Sequence, residues 1–244
     1  MKISFHNSIE EISRESWDAL IGDLNYPFLK HDFLKTLEIT NCVGTNTGWI
    51  PIHITIERDK ELIAAMPLYL KSHSQGEFVF DHAWANAFYQ HGLDYYPKLV
   101  SSIPHTPASG PRFLLKDGEE KSVLFEKIKE GVKMISSKNN ISSWHILFPE
   151  KDEINFYENS QLSIRKNAQF IWFNKNYKNF ENYLENFRSR HRKNVLKERN
   201  KIKEQDLIIE TLSGEALDYE IMNKFYKFYL STNIKRSGFS GYLT

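Results

Sequence analysis

The stretch from Trp49 to Leu70 constrains the fold of this chain most strongly, because it predicts two strands joined by a tight turn. In Trp49–Glu57 every second residue is an isoleucine, at Ile50, Ile52, Ile54 and Ile56. A period of two is typical of a strand with one buried face. Arg58–Lys60 is a charged turn, and Leu62–Leu70 runs back as a more apolar strand. The pattern therefore predicts an antiparallel hairpin whose first strand is half-buried.

Helical and strand-like patterns alternate along the rest of the chain. Helical spacing covers Glu10–Leu24, Lys30–Thr40, Gly118–Asn140, Asp152–Asn159, Asn179–Gln205 and Gly214–Lys235. Strand patterns cover Ile3–Ser8, Glu77–Asp81, Ser143–Pro149, Ile164–Asn174 and Leu207–Leu212. Such alternation predicts an α/β fold with a mixed (α+β) sheet. A boundary near Asn159–Arg165 predicts two domains, residues 1–162 and 163–244.

Composition excludes several classes of protein. A chain of 244 residues is long enough to bury a core, and its net charge of +1 predicts no general affinity for nucleic acids or membranes. The single cysteine, Cys42, cannot form an intrachain disulfide. No apolar run approaches the length of a membrane helix, and the first residues lack the core of a signal peptide. We therefore expect a cytoplasmic protein without a membrane span.

The segment Pro67–Arg112 mixes large aromatic side chains with charged and imidazole groups, as ligand sites do. Its alternative interpretation is a core segment whose buried polar groups are hydrogen-bonded. Binding residues concentrate on loops held by a scaffold, which favours the site. The predicted substrate-binding residues are His73, Trp84, Tyr95, Tyr96, Lys98 and Arg112, with Gln169 and Trp172 from a later segment.

Glu77 and Asp81 are the candidate catalytic residues of this segment. A carboxylate walled by Phe78, Phe80 and Trp84 would have a raised pKa, as a base working near neutrality needs. A structural hydrogen bond is an equally open role for either carboxylate. The spacing of His73, Glu77 and Asp81 also fits metal ligands on a helix, but the segment looks like a strand and no zinc pattern completes it, so no metal is predicted. A serine triad is disfavoured because no G-x-S-x-G motif is present.

The basic stretch FENYLENFRSRHRKNVLKERNKIK, residues 180–203, predicts an anion-binding helix. Its apolar stripe at helical spacing comprises Phe180, Leu184, Phe187, His191, Val195 and Ile202. Arg188, Arg192 and Arg199 align along one edge of that stripe, where a partly desolvated guanidinium binds phosphate strongly. Lys193 is a further candidate anion contact in the same stretch. The alternative is a solvated basic face that Glu185, Glu198 and Glu204 partly neutralise.

Several blocks resemble the FemAB-like predicted N-acyltransferases of the GNAT superfamily, the group of peptidoglycan biosynthesis or recognition proteins. They are PLYLKSHSQGEFVFDHAWANAF, GLDYYPKL, PHTPASGPR, HILFP, QFIWFN, FRSRHRKNVLKERNKI and KFYKFYLSTNIKRSGFSGYLT, which run in this order along the whole chain. The basic stretch also resembles the R-x-R-x-N-(I/V)-x-x-(A/E)-x-K pattern of peptidoglycan-bridge aminoacyltransferases.

This resemblance implies a GNAT-like acyltransferase fold with two lobes, the second incomplete because the chain stops at Tyr242–Thr244. It implies transfer of an acyl or aminoacyl group to a small-molecule or lipid-linked amine, without a tightly bound cofactor. The acyl donor is acyl-CoA or aminoacyl-tRNA, so tRNA is a candidate partner. The R/Q-x-x-G-x-G/A loop that cradles a pyrophosphate is missing, and Arg236–Gly241 has the wrong spacing, which argues against acetyl-CoA. An exposed edge of a shortened lobe predicts a homodimer.

Two functional hypotheses follow. The first is an N-acyltransferase, in cell-wall precursor metabolism, whose site lies between Ser72–Arg112 and the arginine helix. The second is a non-catalytic binding module for a phosphorylated cell-wall precursor or RNA. Changes at Glu77 and Asp81 separate the two hypotheses, because they stop product formation in an enzyme and leave binding by a module intact.

Overall fold

The computed structural model describes residues 1–23, 26–205 and 207–244, and it divides the chain into two compact units. The first unit is Met1–Ile164 with Tyr242–Thr244, and the second is Arg165–Gly241. The sequence predicts domains of 1–162 and 163–244, and their assignment as two lobes of one fold stays a prediction.

The first unit contains two four-stranded sheets. Its strands are β1 (Lys2–His6), β2 (Trp49–Pro51), β3 (His53–Arg58), β4 (Glu61–Met66), β5 (Tyr69–Lys71), β6 (Lys98–Ser101), β7 (Leu114–Leu115) and β8 (Trp144–Ile146). One sheet has the order β1-β3-β4-β7, and the other has the order β2-β5-β6-β8. Every pairing is antiparallel except that of β6 with β8, which is parallel. The predicted mixed α/β class is confirmed.

The predicted hairpin is also confirmed, since β3 pairs antiparallel with β4 and β2 pairs antiparallel with β5. Asp59 and Lys60, with φ of 51° and 70°, form the two-residue turn. Positive φ at both central positions gives a turn whose twist matches that of the two strands.

The prediction that this first strand is half-buried is wrong. Both faces of β3 are covered, because His53 and Thr55 are as buried as Ile54 and Ile56. On one face of β3, Ile54 and Ile56 pack against a helix. On the other face, His53 and Thr55 are buried and hydrogen-bonded. His53 Nε2 lies 3.2 Å from Glu38 Oε1, and Thr55 Oγ1 lies 2.8 Å from His6 Nε2. Buried polar groups with partners are therefore compatible with an alternating sequence.

The described residues of the first unit also form the α-helices α1 (Arg14–Ile21), α2 (His31–Ile39), α3 (His82–Gln90), α4 (Lys121–Asn139) and α5 (Ile154–Asn159). The predicted end of the first helix at Leu24 lies outside the described residues. Leu124, Ile128 and Val132 of α4 are buried in one cluster with Ile54 and Ile56. Gly131 permits this close approach, because a Cβ there would lie 2.8 Å from the Ile54 side chain.

The second unit contains α6 (Phe180–Leu184), α7 (Ser189–Lys203) and α8 (Tyr219–Ser237). The predicted strands Ile164–Asn174 and Leu207–Leu212 are wrong, because within the part of the chain that the structure describes neither pairs with a strand. A strand needs a hydrogen-bonded neighbour as well as an apolar pattern. The predicted continuous helix Asn179–Gln205 is also wrong, since it is broken between α6 and α7.

Candidate active site

A buried lysine organises the polar part of the first unit. Lys98 at the start of β6 donates hydrogen bonds to Glu77 Oε2 at 2.8 Å, to Asp81 Oδ2 at 2.5 Å and to Ser74 Oγ at 2.8 Å. Tyr95 OH donates to the same Asp81 oxygen at 2.7 Å. We refer to Lys98, Glu77, Asp81, Ser74 and Tyr95 as the Lys98 cluster. Four of its members are predicted site residues, and the fifth, Ser74, is not among them.

The carboxylates reach Lys98 because the chain turns sharply before α3. The predicted strand Glu77–Asp81 is wrong, since this segment is irregular and Gly76 and Phe78 have φ of 77° and 57°. A Cβ at Gly76 would lie 2.5 Å from the His105 ring, so glycine meets both a conformational and a steric need. Asp81 occupies the N-cap position of α3 without capping it, and its side chain faces Lys98 instead.

A second lysine lies beside the first. Lys71 of β5 is the register partner of Lys98, so both side chains project from the same face of the sheet, and both are fully buried. Lys71 Nζ donates to the Gln75 carbonyl at 3.2 Å and lies 3.8 Å from the centre of the Trp49 ring. The site thus encloses two lysines and two carboxylates, whose formal charges balance.

Burial and pairing move the pKa values of these groups apart. Burial alone would raise the pKa of Asp81, but hydrogen bonds from Lys98, Ser74 and Tyr95 outweigh it and hold the pKa at about 2. Burial raises the pKa of Glu77 in spite of Lys98. Burial also lowers the pKa of Lys71 to about 7. Two carboxylates that share one lysine therefore differ in proton affinity, which is how acid and base roles are separated in active sites.

One oxygen of each carboxylate remains without a partner. Glu77 Oε1 and Asp81 Oδ1 are buried, and neither has a hydrogen-bond partner within residues 1–23, 26–205 and 207–244. A buried carboxylate oxygen without a donor costs free energy, so both atoms are open to a hydrogen-bond donor.

The cluster meets solvent through aromatic and hydroxyl side chains. Tyr96 and Ser74 are half-buried, and their hydroxyl oxygens lie 2.7 Å apart. Trp84 of α3 is about half exposed at 47 %, with its ring centre 6.1 Å from that of His145. Of the predicted substrate-binding residues, Tyr95 belongs to the cluster, Tyr96 contacts its Ser74, and Trp84 contacts His145.

His145 is a site residue that the sequence analysis missed. Its Nε2 lies 2.9 Å from Ser143 Oγ and 3.5 Å from Tyr95 OH, which joins it to Asp81 through the tyrosine. The parallel pairing of β8 with β6 brings it there, with His145 opposite Val100. No local signal marks it, because the pairing joins segments more than forty residues apart.

Arg112 corrects the prediction of a substrate contact. Its guanidinium is fully buried and donates to the backbone carbonyls of Ala108, Gly110, Pro111 and Leu147. Burial lowers its pKa to about 10. Because its N–H groups face peptide oxygens, Arg112 holds the loop after β6 in place and has no face for a ligand.

His73 lies beside the cluster in the loop after β5. It is half-buried, its Nδ1 accepts from the Gln75 backbone N–H at 3.2 Å, and its ring covers Gly48. Burial lowers the pKa of His73, and the neighbouring Lys71 adds to this effect. The role of His73 in substrate binding stays a prediction.

The remaining predicted residues lie in the second unit. Gln169 and Trp172 are exposed in the irregular segment before α6. Arg188 is the N-cap of α7, Lys193 is exposed on that helix, and Arg199 lies 4.1 Å from the centre of the Phe180 ring. Their roles in binding substrate and anions stay predictions, as does the assembly of one site from both units.

The predicted apolar stripe of the arginine helix is wrong. No residue of α7 is buried, so the arginines do not line a buried helix face. Arg192 instead donates to the carbonyls of Leu184, Glu185 and Phe187 at the end of α6. These contacts satisfy carbonyls that a helix end leaves unpaired, and they hold the break between α6 and α7.

In residues 1–23, 26–205 and 207–244, no group of three or more His, Cys, Asp or Glu side chains is arranged to hold a metal ion. Across the same described residues, no helix is both long enough and apolar enough to cross a membrane.

Comparison with known proteins gives one family match and several structural matches. A model of the FemAB-like family, described as peptidoglycan biosynthesis/recognition, matches residues 8–244. No protein of curated function matches the chain in sequence.

Three of the structural matches are N-acetyltransferases of low sequence identity. An aminoglycoside 6′-N-acetyltransferase from Acinetobacter haemolyticus is 10 % identical with a TM-score of 0.42, over 72 % of this chain and 98 % of its own. A ribosomal-protein-alanine N-acetyltransferase from Brucella melitensis is 7 % identical with a TM-score of 0.41, over 71 % and 99 %. A glucosamine-6-phosphate N-acetyltransferase from Arabidopsis thaliana is 10 % identical with a TM-score of 0.40, over 71 % and 100 %.

Proposed function

The chain belongs to the FemAB-like family, and from this membership we propose that it is an N-acyltransferase acting on an amine of a cell-wall precursor. The observation that carries the proposal within the structure is the Lys98 cluster, a buried set of two carboxylates with separated pKa values beneath an aromatic surface. The link to the cell wall rests on the description of the family.

Acyl transfer to an amine needs a free amine, a positioned acyl carbonyl and a proton acceptor. The nitrogen forms a bond to the carbonyl carbon, the bond from that carbon to the sulfur or oxygen of the donor breaks, and one amine proton is released. The leaving thiolate or alkoxide takes up a proton in the same cycle. The protein therefore has to store one proton and return it.

Glu77 fits the proton acceptor better than Asp81. A base working near neutrality needs a pKa above that of an ordinary carboxylic acid, and burial raises the pKa of Glu77. Asp81, with its pKa held at about 2, stays ionised and fixes Lys98 and Tyr95. This assigns different roles to the two carboxylates that the sequence left as alternatives.

A chain of hydrogen bonds provides the route for the proton. It runs from Tyr96 OH to Ser74 Oγ at 2.7 Å, on to Lys98 Nζ at 2.8 Å and then to Glu77 Oε2 at 2.8 Å. Tyr96 and Ser74 are half-buried, so the chain begins where a substrate amine has access. Lys98 first donates one of its protons to Glu77. Its neutral amine then accepts a proton from Ser74, whose hydroxyl reverses the hydrogen bond that it receives from Lys98, while Ser74 takes a proton from Tyr96 and Tyr96 takes one from the substrate amine. Lys98 ends charged and Glu77 ends protonated.

The experiment is an acyl-transfer assay with acyl-CoA and aminoacyl-tRNA as separate donors and an amino-sugar precursor as acceptor. Glu77→Gln should lower kcat by about 10²–10⁴-fold, and Asp81→Asn should also impair turnover because it removes an anchor of Lys98. Glu126→Gln, at a carboxylate that pairs with Lys129 on the surface, is the matched control and should retain activity.

A non-catalytic binding module is the second candidate, and the basic composition of residues 165–205 favours it. This stretch has twelve Lys or Arg residues against four Glu, a net charge of +8 in a chain of net charge +1. Retention of RNA or a phosphorylated precursor, together with no transfer by the unmodified protein from either donor, would establish the module. Transfer that is insensitive to both Glu77 and Asp81 would refute the mechanism above.

A further inference from the structure

The second unit contains an aromatic cavity that the mechanism does not use. Its volume is about 480 Å³, and its lining consists of Trp172, Asn174, Tyr177, Asn179, Phe180 and Tyr183. This volume falls in the ordinary range of small-molecule sites. All six residues lie within twelve positions of one another, so the cavity belongs to the second unit alone.

The rings form a connected wall. The Tyr183 ring centre lies 5.2 Å from that of Tyr177, 5.8 Å from that of Phe180 and 6.4 Å from that of Trp172. Trp172 is 62 % exposed, so a large part of its indole remains available to a second ring. Exposed aromatic faces of this kind bind planar rings by stacking, and they also bind cations.

The two asparagines determine which polar group the ligand must offer. Asn174 Oδ1 accepts from the Asn176 backbone N–H at 2.9 Å, and Asn179 Oδ1 accepts from the Asn182 backbone N–H at 2.8 Å. Each side-chain oxygen already has one backbone donor, and the NH₂ group of each asparagine offers further donors to a ligand. A ligand with hydrogen-bond acceptors at the edge of its ring fits these donors.

The charge around the cavity indicates whether its ligand is a planar ring or a cation. The cavity lies in the stretch of net charge +8, and Arg199 lies against the Phe180 ring at 4.1 Å. A positively charged environment repels a quaternary ammonium ion and attracts phosphate. The combination of ring faces, amide donors and positive charge fits a nucleotide.

We propose that the cavity formed by Trp172, Tyr177, Phe180, Tyr183, Asn174 and Asn179 binds the adenine base of the acyl donor. Adenine presents ring nitrogens as acceptors and a planar face for stacking. The choice of adenine rests on the proposed function, because acyl-CoA and aminoacyl-tRNA both carry adenosine. The phosphates of the donor lie in the positive field of the surrounding lysines and arginines.

Titration calorimetry on the full chain tests the proposal with adenosine 3′,5′-bisphosphate, the nucleotide part of CoA, and with a short RNA hairpin ending in CCA. At least one of the two should bind, and the tighter one identifies the source of the adenine. Trp172→Ala and Tyr183→Ala should each weaken that binding by about 10-fold, as loss of a stacking face does. Phe170→Ala, at a fully exposed ring of the same segment outside the cavity, should leave it unchanged.

Ribose 5-phosphate supplies the charge without the base and should bind at least about 10-fold more weakly. Trp172→Phe keeps a ring and should retain most of the affinity, which separates stacking from loss of folding. Glu77→Gln should bind the nucleotide as the unmodified chain does. If the unmodified chain binds the nucleotide but transfers no acyl group, the proposed catalysis fails and the adenine site stands. The adenine site is overturned if neither nucleotide binds, if ribose 5-phosphate binds equally well, if Phe170→Ala and Trp172→Ala weaken binding alike, or if tetramethylammonium displaces the nucleotide.

Discussion

Lys71 and Lys98 are two cations placed directly opposite each other on neighbouring strands and buried together. Like charges in this arrangement destabilise a sheet unless other groups offset them. Lys98 has two carboxylate partners, whereas Lys71 has one backbone carbonyl and one ring. The buried Lys71 ammonium is therefore less well compensated, and burial lowers its pKa to about 7.

Lys71→Met should change how stability depends on pH above neutrality. The folded pKa of about 7 lies below the ordinary 10.5, so the unfolded chain binds more protons between these values and stability rises with pH across that window. The variant should lose this rise, which amounts to at most about 1.4 kcal/mol per pH unit. Urea unfolding at pH 7, 8 and 9 measures it, and Lys127→Met, on the surface, is the control. An unchanged slope would show that Lys71 titrates normally.

Asp81→Asn should instead change how the free energy of unfolding depends on pH in the acidic range. The pKa of Asp81 is held at about 2, below the ordinary 3.8, so its contribution is complete above about pH 4 and is lost as pH falls through about 2. At pH 7 the variant should lose about 2 kcal/mol of unfolding free energy or more, because Lys98 loses a charged partner. Unfolding by urea between pH 2 and 7 gives the comparison. Asp32→Asn, at an exposed pair with Arg14, should behave like the unmodified chain; equal losses would contradict the role of Asp81.

At the scale of elements, the loop after β6 depends on one side chain. Arg112 bonds four carbonyls from Ala108, Gly110, Pro111 and Leu147, so removing it leaves several buried acceptors unpaired. We expect Arg112→Met to lower the free energy of unfolding by about 3 kcal/mol. Thermal unfolding followed by circular dichroism measures the change. Arg14→Met, at an arginine that is 60 % exposed, should shift it by less than about 0.5 kcal/mol, and a similar shift for both would refute the role of Arg112.

The N-cap of α6, in the second unit, should make a smaller contribution to the free energy of unfolding. Asn179 accepts the Asn182 backbone N–H at 2.8 Å as the N-cap of this short helix. Asn179→Ala should destabilise the unit by about 1 kcal/mol, and Asn179→Asp should restore the cap. Amide hydrogen exchange at residues 180–184 reports on the helix directly. Equal protection in both variants would show that the cap contributes nothing.

Elements with a strong local pattern were predictable, and those that depend on a distant partner were not. The hairpin of β3 and β4 follows from the alternation of isoleucines and the charged turn at Asp59 and Lys60. The apolar pattern of Ile164–Asn174 is similar in kind, yet no strand forms there, because pairing is a property of two segments and periodicity describes one. The two faces of β3 give a second example, because the alternation along one strand does not indicate that another element covers the face carrying His53.

At the scale of the whole molecule, the hydrophobic clusters of the described residues lie within residues 1–164. A unit with its own core can fold without the rest of the chain. We therefore expect a fragment of residues 1–164 to unfold cooperatively with urea. It lacks Tyr242, whose ring stacks on His105 at 4.8 Å, so it should be somewhat less stable than the full chain. A fragment without a cooperative transition would show that the second unit is needed for folding.

The candidate site was predictable in its residue types but not in its connections. Glu77, Asp81, Tyr95, Tyr96 and Lys98 stand out in one aromatic, charged segment and do come together. His145 belongs to the candidate site because β8 pairs with β6. Arg112 does not belong to it, because its guanidinium donates to backbone carbonyls. Composition identifies which groups are available for chemistry, whereas topology decides which of them face each other.

The segment from Ser72 to Asp81 has no regular structure, yet it is anchored to the interior through Lys98. If the segment detached, the lysine would stay in the core without its carboxylates, which costs several kilocalories per mole. Proteases cleave loops that open easily, and this one opens only when the sheet beneath it does. A limited digest should therefore spare peptide bonds that look exposed here, and the loop should survive for as long as β5 and β6 remain paired.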